Sequence, residues 1–533
     1  MLIACQVVGR SGDAAVAGAF FTLLERMLPL RLQSAAQAPD IHRPRIVFDD
    51  GRIDDEPLTQ VHAPVLCLPR RRSRRDALRP LVASFTDDPQ VPEPFRGRTL
   101  ETAGCYEGGR VRCGPRDTVL AHLEGQPVWS VRTDVSGKRF HTALPLAELS
   151  PRDGFGDVFG GAWYLNALPL MHFLRELGVL GLAPAVLRAA FVIDDPNLHW
   201  PSYGCVRYRE LADRAAKNRY HVAFATIPLD TWFTHPGAAQ VFRSNPQSLS
   251  LLVHGNGHIR NELSRSYSAG MRTAILQQAL LRIEKLERRA GVRVSRIMVP
   301  PHGACSGDML AALASCGFES ACLSAGSLRA HNPQQPWVDT LGLFTSERIE
   351  GCSVLPRWGL CGPVQGNLLV AAYLRRPMIL RGHHHDLRDG LDQLDEWARF
   401  INGLGPVEWS NLSLISRRSS MAWMDGTTCR IRPCGAIVAV DPPEGAMHVT
   451  VDPSFGFANT RWRWQVEDNG ELDVVAGQQI SLANRCGAGL WLRERVAPPP
   501  LSIRPARIPS ACAIARRLLT EARDRLCMGA AAP

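Results

Sequence analysis

The stretch Phe191–Trp200, FVIDDPNLHW, decides how the rest of the chain is read. Ala189, Ala190, Phe191, Val192 and Ile193 form an apolar run with no polar interruption, the texture of a strand buried on both faces of a parallel sheet. The run ends on Asp194 and Asp195, and Pro196 then stops the strand. Adjacent strand residues point opposite ways, but past the strand end the chain is free to turn both carboxylates toward one place. Two acids at the end of a buried strand are costly there unless a cation or a reaction uses them. Taken alone, the stretch favours a helix cap or a solvated loop.

Later strand ends change that reading. The run Ser248–Val253 ends on His254-Gly255-Asn256-Gly257-His258, where the glycines let the backbone fold tightly and bring both imidazoles to one point. Two histidines with one carboxylate are a common three-ligand set for a divalent ion that keeps a position open for water. The run Ser295–Val299 ends on Pro300-Pro301-His302-Gly303, and Met378–Arg381 ends on Gly382-His383-His384-His385-Asp386. Successive strand ends that each deliver ligand-type residues to one face are how an α/β barrel builds a site.

This ordered set resembles the polysaccharide deacetylase family (carbohydrate esterase family four, the chitooligosaccharide-deacetylase homology domain). Asp194-Asp195 matches its Asp-Asp motif, and His254 and His258 match its His-x-x-x-His. Val299-Pro300-Pro301-His302-Gly303 matches in part its Arg-Pro-Pro-aromatic-Gly, and His383 its last, histidine-bearing strand end. The match covers residues 186–420. It implies one divalent ion, zinc with cobalt, nickel or manganese as alternatives, held by Asp195, His254 and His258. Asp194 is then the catalytic base and His383 the catalytic acid, with His384 or His385 as substitutes. His302, Asn256, Pro301 and His384 are expected to contact substrate, with support of the ligands from behind as the alternative role for His302 and Asn256, and the same pair of roles open to His199 and Asn197. The chain departs from the pattern at Val299, where the family has the Arg that orients the catalytic Asp, at His302 and at Pro196. The family's acidic-Trp motif is not recognisable, although Trp337 and Trp358 lie in its interval.

The activity implied is removal of an acetyl group from an N-acetylated, or O-acetylated, carbohydrate by metal-activated water. Two alternatives stand beside it: hydrolysis of another C–N amide or an ester, including a cyclic imide or a non-sugar metabolite such as a small N-acylated substrate, and a catalytically silent carbohydrate-binding barrel. Val47-Phe48-Asp49-Asp50-Gly51 and Phe85-Thr86-Asp87-Asp88 mimic the first motif. Asp195, however, precedes His254 by only one or two strand–helix units, whereas Asp50 stands far upstream in a run of charges.

At 533 residues the chain is too long for one core. Its 45% apolar and 21% charged content is that of a folded globular protein. The net charge of +10 rests almost wholly on arginine, spread along the chain; only Lys138, Lys217 and Lys285 are lysines. The one cluster, Arg70-Arg71-Arg72-Ser73-Arg74-Arg75, reads as an exposed loop, so nucleic acid is not favoured as a partner. Met1–Val8 lacks a basic start and no apolar stretch reaches the ~20 residues of a spanning helix, so neither a leader nor a membrane span is expected. Fifteen cysteines without C-x-x-C spacing suggest reduced thiols and a cytoplasmic protein. The oligomeric state is not legible.

The expected fold class is α/β: a seven- or eight-stranded (β/α) deacetylase-type barrel over 186–420, after an N-terminal α/β domain over 1–185. A small β-sandwich over 421–500 and a linker with a final helix over 501–533 follow. In the first domain, helices are expected at Asp13–Leu30 and Asp157–Leu177, with strands at Arg45–Phe48, Val61–Leu68, Thr118–Leu123, Pro127–Val131 and Arg139–Leu144. The turn at Ser136-Gly137 loosely resembles the end of glutamine-amidotransferase-like domains, with no catalysis expected there; Cys105 lacks the glycine offsets of a nucleophile turn. In the barrel region the run Leu412–Ile415 reads as a last strand. In the sandwich, Trp462 and Trp464 share one strand face, more in keeping with core than with sugar stacking. Ala511–Leu526 is amphipathic and reads as docking back or meeting a partner.

Overall fold

The computed structural model describes residues 2–8, 18–34, 40–49, 62–70, 79–104, 109–135, 137–146, 153–159, 164–182, 186–335, 337, 341–452, 461–466, 471–482, 490–494 and 511–529. The chain is a mixed α/β protein with several sheets, and it divides into two compact units. Unit one is Met1–Ala183 with Asp339–Leu343 and Gln365–Tyr373; unit two is the remainder.

Unit one is built on a nine-stranded sheet. Its strands are β1 (Ile3–Val8), β2 (Leu30–Ser34), β3 (Arg45–Asp49), β4 (Val65–Pro69), β5 (Arg79–Phe85), β6 (Thr99–Gly104), β7 (Asp117–Leu123), β8 (Gln126–Asp134) and β9 (Gly137–Thr142). The order is β2-β1-β3-β4-β9-β8-β7-β5-β6, parallel from β2 through β9 and antiparallel beyond. The helix Gly18–Met27 links β1 to β2 and buries Phe20, Phe21, Leu23, Leu24 and Met27, the stripe its spacing announces. The helix Tyr164–Glu176 runs through Pro169 and buries nearly every residue on the way. Both mimics of the acidic motif belong to this unit, Asp49 at the end of β3 and Asp87 beyond β5. β6 leads into Gly104, a strand the sequence does not announce, while Cys105, Asp50, Arg71–Arg75 and Ser136 lie outside the described residues.

Unit two carries a ten-stranded sheet. Its members are β10 (Leu187–Asp194), β13 (Val222–Thr226), β14 (Leu249–Val253), β15 (Val294–Met298), β16 (Ser320–Leu323), β17 (Glu347–Ile349), β18 (Cys352–Pro356), β19 (Trp358–Gly359), β20 (Met378–His383) and β21 (Val407–Trp409). The short pair β11 (Ser202–Tyr203) and β12 (Val206–Arg207) stands apart. The hydrogen-bonded path is β17-β18-β16-β15-β14-β13-β10-β20-β19, with β21 also on β10, and all pairs except β17–β18 are parallel. The expected closed barrel is thus not present as a hydrogen-bonded ring. Instead β18, which pairs with β16, runs into β19, which pairs with β20 at the other side of the sheet, through the single residue Arg357. Ala190, Val192, Ala223, Ala225, Leu252, Ile297, Val299, Cys322, Leu355 and Ile379 form one buried cluster on the strands. Because strands of one direction lie side by side, the ends of β10, β13, β14, β15, β18 and β20 all open on the same edge of the sheet.

Leu412–Ile415 is not the last strand but part of a helix, Leu412–Arg417. Asn411 takes the Leu414 amide on its side chain at 3.0 Å and so starts a helix, which a four-residue apolar run cannot reveal by periodicity. The strand in that neighbourhood is β21.

The chain continues into two four-stranded sheets. One is β22 (Ser420–Asp425), β23 (Thr428–Pro433), β25 (His448–Val451) and β28 (Gln479–Ser481). The other is β24 (Ile437–Val440), β29 (Leu490–Glu494), β26 (Arg461–Val466) and β27 (Glu471–Val475). Cys429, Ile431, Val449, Val451 and Ile480 from the first sheet share one apolar cluster with Val440, Trp462, Trp464, Val474 and Leu492 from the second. Trp462 and Trp464 are buried there, as core residues. The described cysteines are free thiols, and no helix among the described residues is long and apolar enough to cross a membrane.

Each unit buries a histidine that resists protonation. Burial lowers His172, packed edge-on against Trp129 and Phe140 in unit one, to about 4. Burial likewise lowers His221 of unit two to about 4, with its ring bonded to the Gln247 carbonyl and Ser250 Oγ at 2.8 Å each. An unfolded histidine titrates near 6.5, so between that pH and about 4 the unfolded chain binds more protons than the folded one. Stability therefore falls as pH drops through this window, by up to roughly 3 kcal/mol for each ring. Urea unfolding from pH 7 to 4 should show that decline, and His221→Asn should flatten it. An equal slope in the variant would contradict the assignment.

Candidate metal and catalytic centre

The backbone at the end of β10 turns out of the strand geometry. Asp195 sits at φ 81°, in the left-handed region, which swings its carboxylate away from the alternation that would part it from Asp194. His258 at φ 54° and His302 at φ 57° share this unusual conformation. Such conformations cost about 1–3 kcal/mol apiece and gather at functional sites.

These turns bring together the three residues read from the sequence as ligands. Asp195 Oδ1 lies 3.3 Å from His254 Nε2 and 3.0 Å from His258 Nε2. All three ligand atoms fall within 4.8 Å of one another. His254 donates from Nδ1 to the Val299 carbonyl at 2.7 Å, which leaves Nε2 as the nitrogen turned to Asp195. Burial pushes the Asp195 carboxyl up, but the two imidazoles outweigh it and hold the group well below the usual carboxylate range. Burial pushes His254 down, and the Asp195 and Asp194 carboxylates outweigh that. The pocket therefore attracts positive charge. Asp195 Oδ1 is buried with no hydrogen bond of suitable angle, so its free lone pair and the two ring nitrogens form a donor set that fits a borderline-soft divalent ion.

A buried carboxylate that the sequence reading missed holds the histidine loop. Glu262 accepts the amides of Asn256 at 2.9 Å, Gly257 at 2.8 Å and His258 at 3.1 Å. Gly255, at φ 63°, lets the loop pass. A Cβ there would stand 2.5 Å from both Glu262 Oε2 and Pro301 Cγ. Pro301 is thus a buried floor under the loop. Asn256 donates from Nδ2 to Gln278 at 2.8 Å and accepts from Arg282 at 2.7 Å, so both ends of its side chain brace the loop from behind. His302 is exposed, with its ring 4.8 Å from that of His258. Glu262→Ala should loosen three amides at once and weaken metal binding by about 10–100-fold, read by competition with a chromophoric chelator. Unchanged affinity would show that the loop holds its shape without Glu262.

Asp194 is buried and paired with Arg357, whose Nη1 stands 3.3 Å from Oδ1 and 3.1 Å from Oδ2. This is the second residue missed. Val299 occupies the motif position where an arginine was wanted, and its side chain lies in the apolar cluster; the guanidinium comes instead from the joint between β18 and β19. The available signal was position: Arg357 follows a strand-like run as directly as the other site residues do.

His383 is the ladder partner of Asp194 between β10 and β20. Its backbone amide donates to Asp386 Oδ2 at 2.8 Å. Burial lowers the ring below the ordinary imidazole value, against the pull of Asp194 and Asp195. His384 is wedged against Gly204, where a Cβ would stand 2.1 Å from its Nδ1, and meets the Tyr203 ring at 5.3 Å. His383, His385 and Asp386 also come within 4.8 Å of one another. The His383 and His385 rings stack at 10°, with their centroids 5.1 Å apart. Asn197 and His199, beyond Asp195, reach Glu521 of the C-terminal helix at 3.0 Å each.

No family model matches the chain, and no curated protein matches it in sequence. Solved structures do resemble it. A family 4 carbohydrate esterase from Streptomyces lividans, in complex with acetate, is 11% identical over 43% of this chain and 93% of its own, with a TM-score of 0.26. A CE4 esterase from Streptococcus mutans is 12% identical over 44% of this chain and 89% of its own, also at 0.26. A CE4 family pseudoenzyme from Bacillus anthracis is 10% identical over 44% of this chain and 66% of its own, again at 0.26.

Proposed function

We propose that the chain is a metal-dependent hydrolase of the deacetylase type that removes an acetyl group from an N-acetylated carbohydrate. The observation that carries this reading is the meeting of Asp195, His254 and His258 at one point, with the Asp194–Arg357 pair beside them. On this reading residues 186–420 work as a deacetylase-type barrel closed through Arg357, the two C-terminal sheets form a β-sandwich, and the protein acts in the cytoplasm.

Asp195, His254 and His258 would hold one divalent ion, zinc first among the candidates. When bound, such an ion polarises a carbonyl oxygen and makes a water molecule more acidic. The protein's own groups do the rest. Asp194, fixed by Arg357, takes the proton of the water that attacks the acetyl carbon. His383, next to Asp194 across the ladder, gives a proton to the departing amine as the C–N bond breaks, leaving acetate and a free amino sugar. The exposed ring of His302 beside His258 forms a wall against which substrate rests, while Asn256, Pro301 and His384 serve by shaping the backbone around it.

Acetate release from N-acetylglucosamine oligomers by the full chain, with and without a chelator, tests the reading. Release that stops on chelation and returns with zinc is expected. A chain that holds zinc but frees no acetate from any N- or O-acetylated oligomer would overturn the carbohydrate assignment.

A further inference from the structure

We propose that the C-terminal helix, Ala511–Gly529, staples together the two loops that carry the metal ligands, so that Glu521, Arg517 and Arg516 are positioning residues of the centre. The inference rests on the proposed metal-binding role of Asp195, His254 and His258.

Arg517 and Glu521 are four residues apart on the helix and so share one face, and both are buried. Glu521 Oε2 accepts Asn197 Nδ2 at 3.0 Å and lies 3.0 Å from His199 Nδ1. Asn197 in turn takes the His199 amide on Oδ1 at 3.1 Å, closing the turn that follows Asp195. The other nitrogen of His199 lies 2.7 Å from the Asp230 carbonyl, so the ring bridges Glu521 and the turn at Asp230. Arg517 then grips the Asp230 carboxylate as a fork, Nε at 3.0 and 3.2 Å and Nη2 at 2.7 Å. The circuit Glu521, His199, Asp230, Arg517 thereby joins the helix to the turns after β10 and β13.

The second ligand loop is held from the same helix. Arg516 Nη2 donates to the Gly257 carbonyl, inside the His254–His258 loop, while Glu262 holds the amides of that loop. The Leu229 amide, one residue before Asp230, donates to the Asn256 carbonyl at 3.0 Å. Among the described residues the hydrogen bonds to the Asp230 carboxylate all come from Arg517, so without the helix a buried charge would stand uncompensated at the sheet edge. Because a one-ångström drift of a ligand loop already loosens a metal site, side chains far along the chain set how well the three ligands converge.

The test uses the full chain with Glu521→Ala, the conservative Glu521→Gln, which keeps an acceptor for Asn197, and Arg516→Ala, which removes one bond without orphaning a buried charge. Amide hydrogen exchange reports the loops, and competition with a chromophoric chelator reports zinc affinity. Glu521→Ala should speed exchange across 195–200 and weaken zinc binding by about 10–100-fold, with partial rescue in Glu521→Gln. Arg516→Ala should speed exchange at 254–258 alone. Wild-type exchange in both loops of both alanine variants overturns the staple, as does a rise spread evenly over the sheet. If the wild-type chain binds no zinc, the proposed function fails, and the exchange rates alone decide the staple.

Discussion

Asp194→Asn should lower kcat for acetate release by about 10²–10⁴-fold while leaving zinc bound. The substitution keeps the shape of the side chain and one oxygen that can still accept from Arg357 Nη1, but it leaves the buried guanidinium without its counter-charge, so the activity is compared at a temperature where the variant is shown to be folded. What it removes is the capacity to take a proton from water. Because Asp195, His254 and His258 are untouched, metal content should match the wild type, and the loss should fall on kcat more than on KM. A variant that releases acetate at the wild-type rate would move the base elsewhere. A variant that loses its zinc would make Asp194 a support of the metal instead.

Arg357→Ala is expected to destabilise unit two by about 3–5 kcal/mol, because it leaves the Asp194 carboxylate buried without its ion-pair partner. The loss arises from the orphaned charge, not from the pair as such. The double substitution Asp194→Asn with Arg357→Met should therefore recover much of the stability while remaining inactive. Thermal or urea unfolding of the wild type, Asp194→Asn, Arg357→Met and the double variant gives the coupling directly. If Arg357→Ala and the double variant lose equal stability, the arginine serves only to join β18 to β19. Activity of Arg357→Ala should fall as well, since an untethered Asp194 no longer faces the attacking water in one orientation.

The meeting of the three residues proposed as ligands was legible because each is announced locally. Asp195 and the two histidines stand at the tips of apolar runs, and the glycines between His254 and His258 signal a tight loop. Their convergence follows once the runs are parallel neighbours, which β10, β13 and β14 are. Arg357 also follows an apolar run, but its role was not legible, because its partner Asp194 is remote in sequence and meets it only through sheet topology. Glu262 was hidden for a related reason: its partners are backbone amides, which leave no trace in residue type. For Asn256, expected either to contact substrate or to support the ligands, the amide is turned back to Gln278 and Arg282. In unit one, Ile3–Val8 and Arg79–Phe85 carry too much polarity or too little length to stand out as strands, and only their sheet neighbours make them so. The C-terminal helix was visible as amphipathic, but which surface its inner face covers depends on the buried fork from Arg517 to Asp230.

The most direct measurement is zinc per chain by elemental analysis, with a calorimetric titration of the metal-stripped protein, for the wild type and for Asp195→Ala and His254→Ala. One equivalent in the wild type and none in either variant is the predicted result. A wild-type chain that binds no divalent ion, or variants that bind one as tightly as it does, would contradict the account.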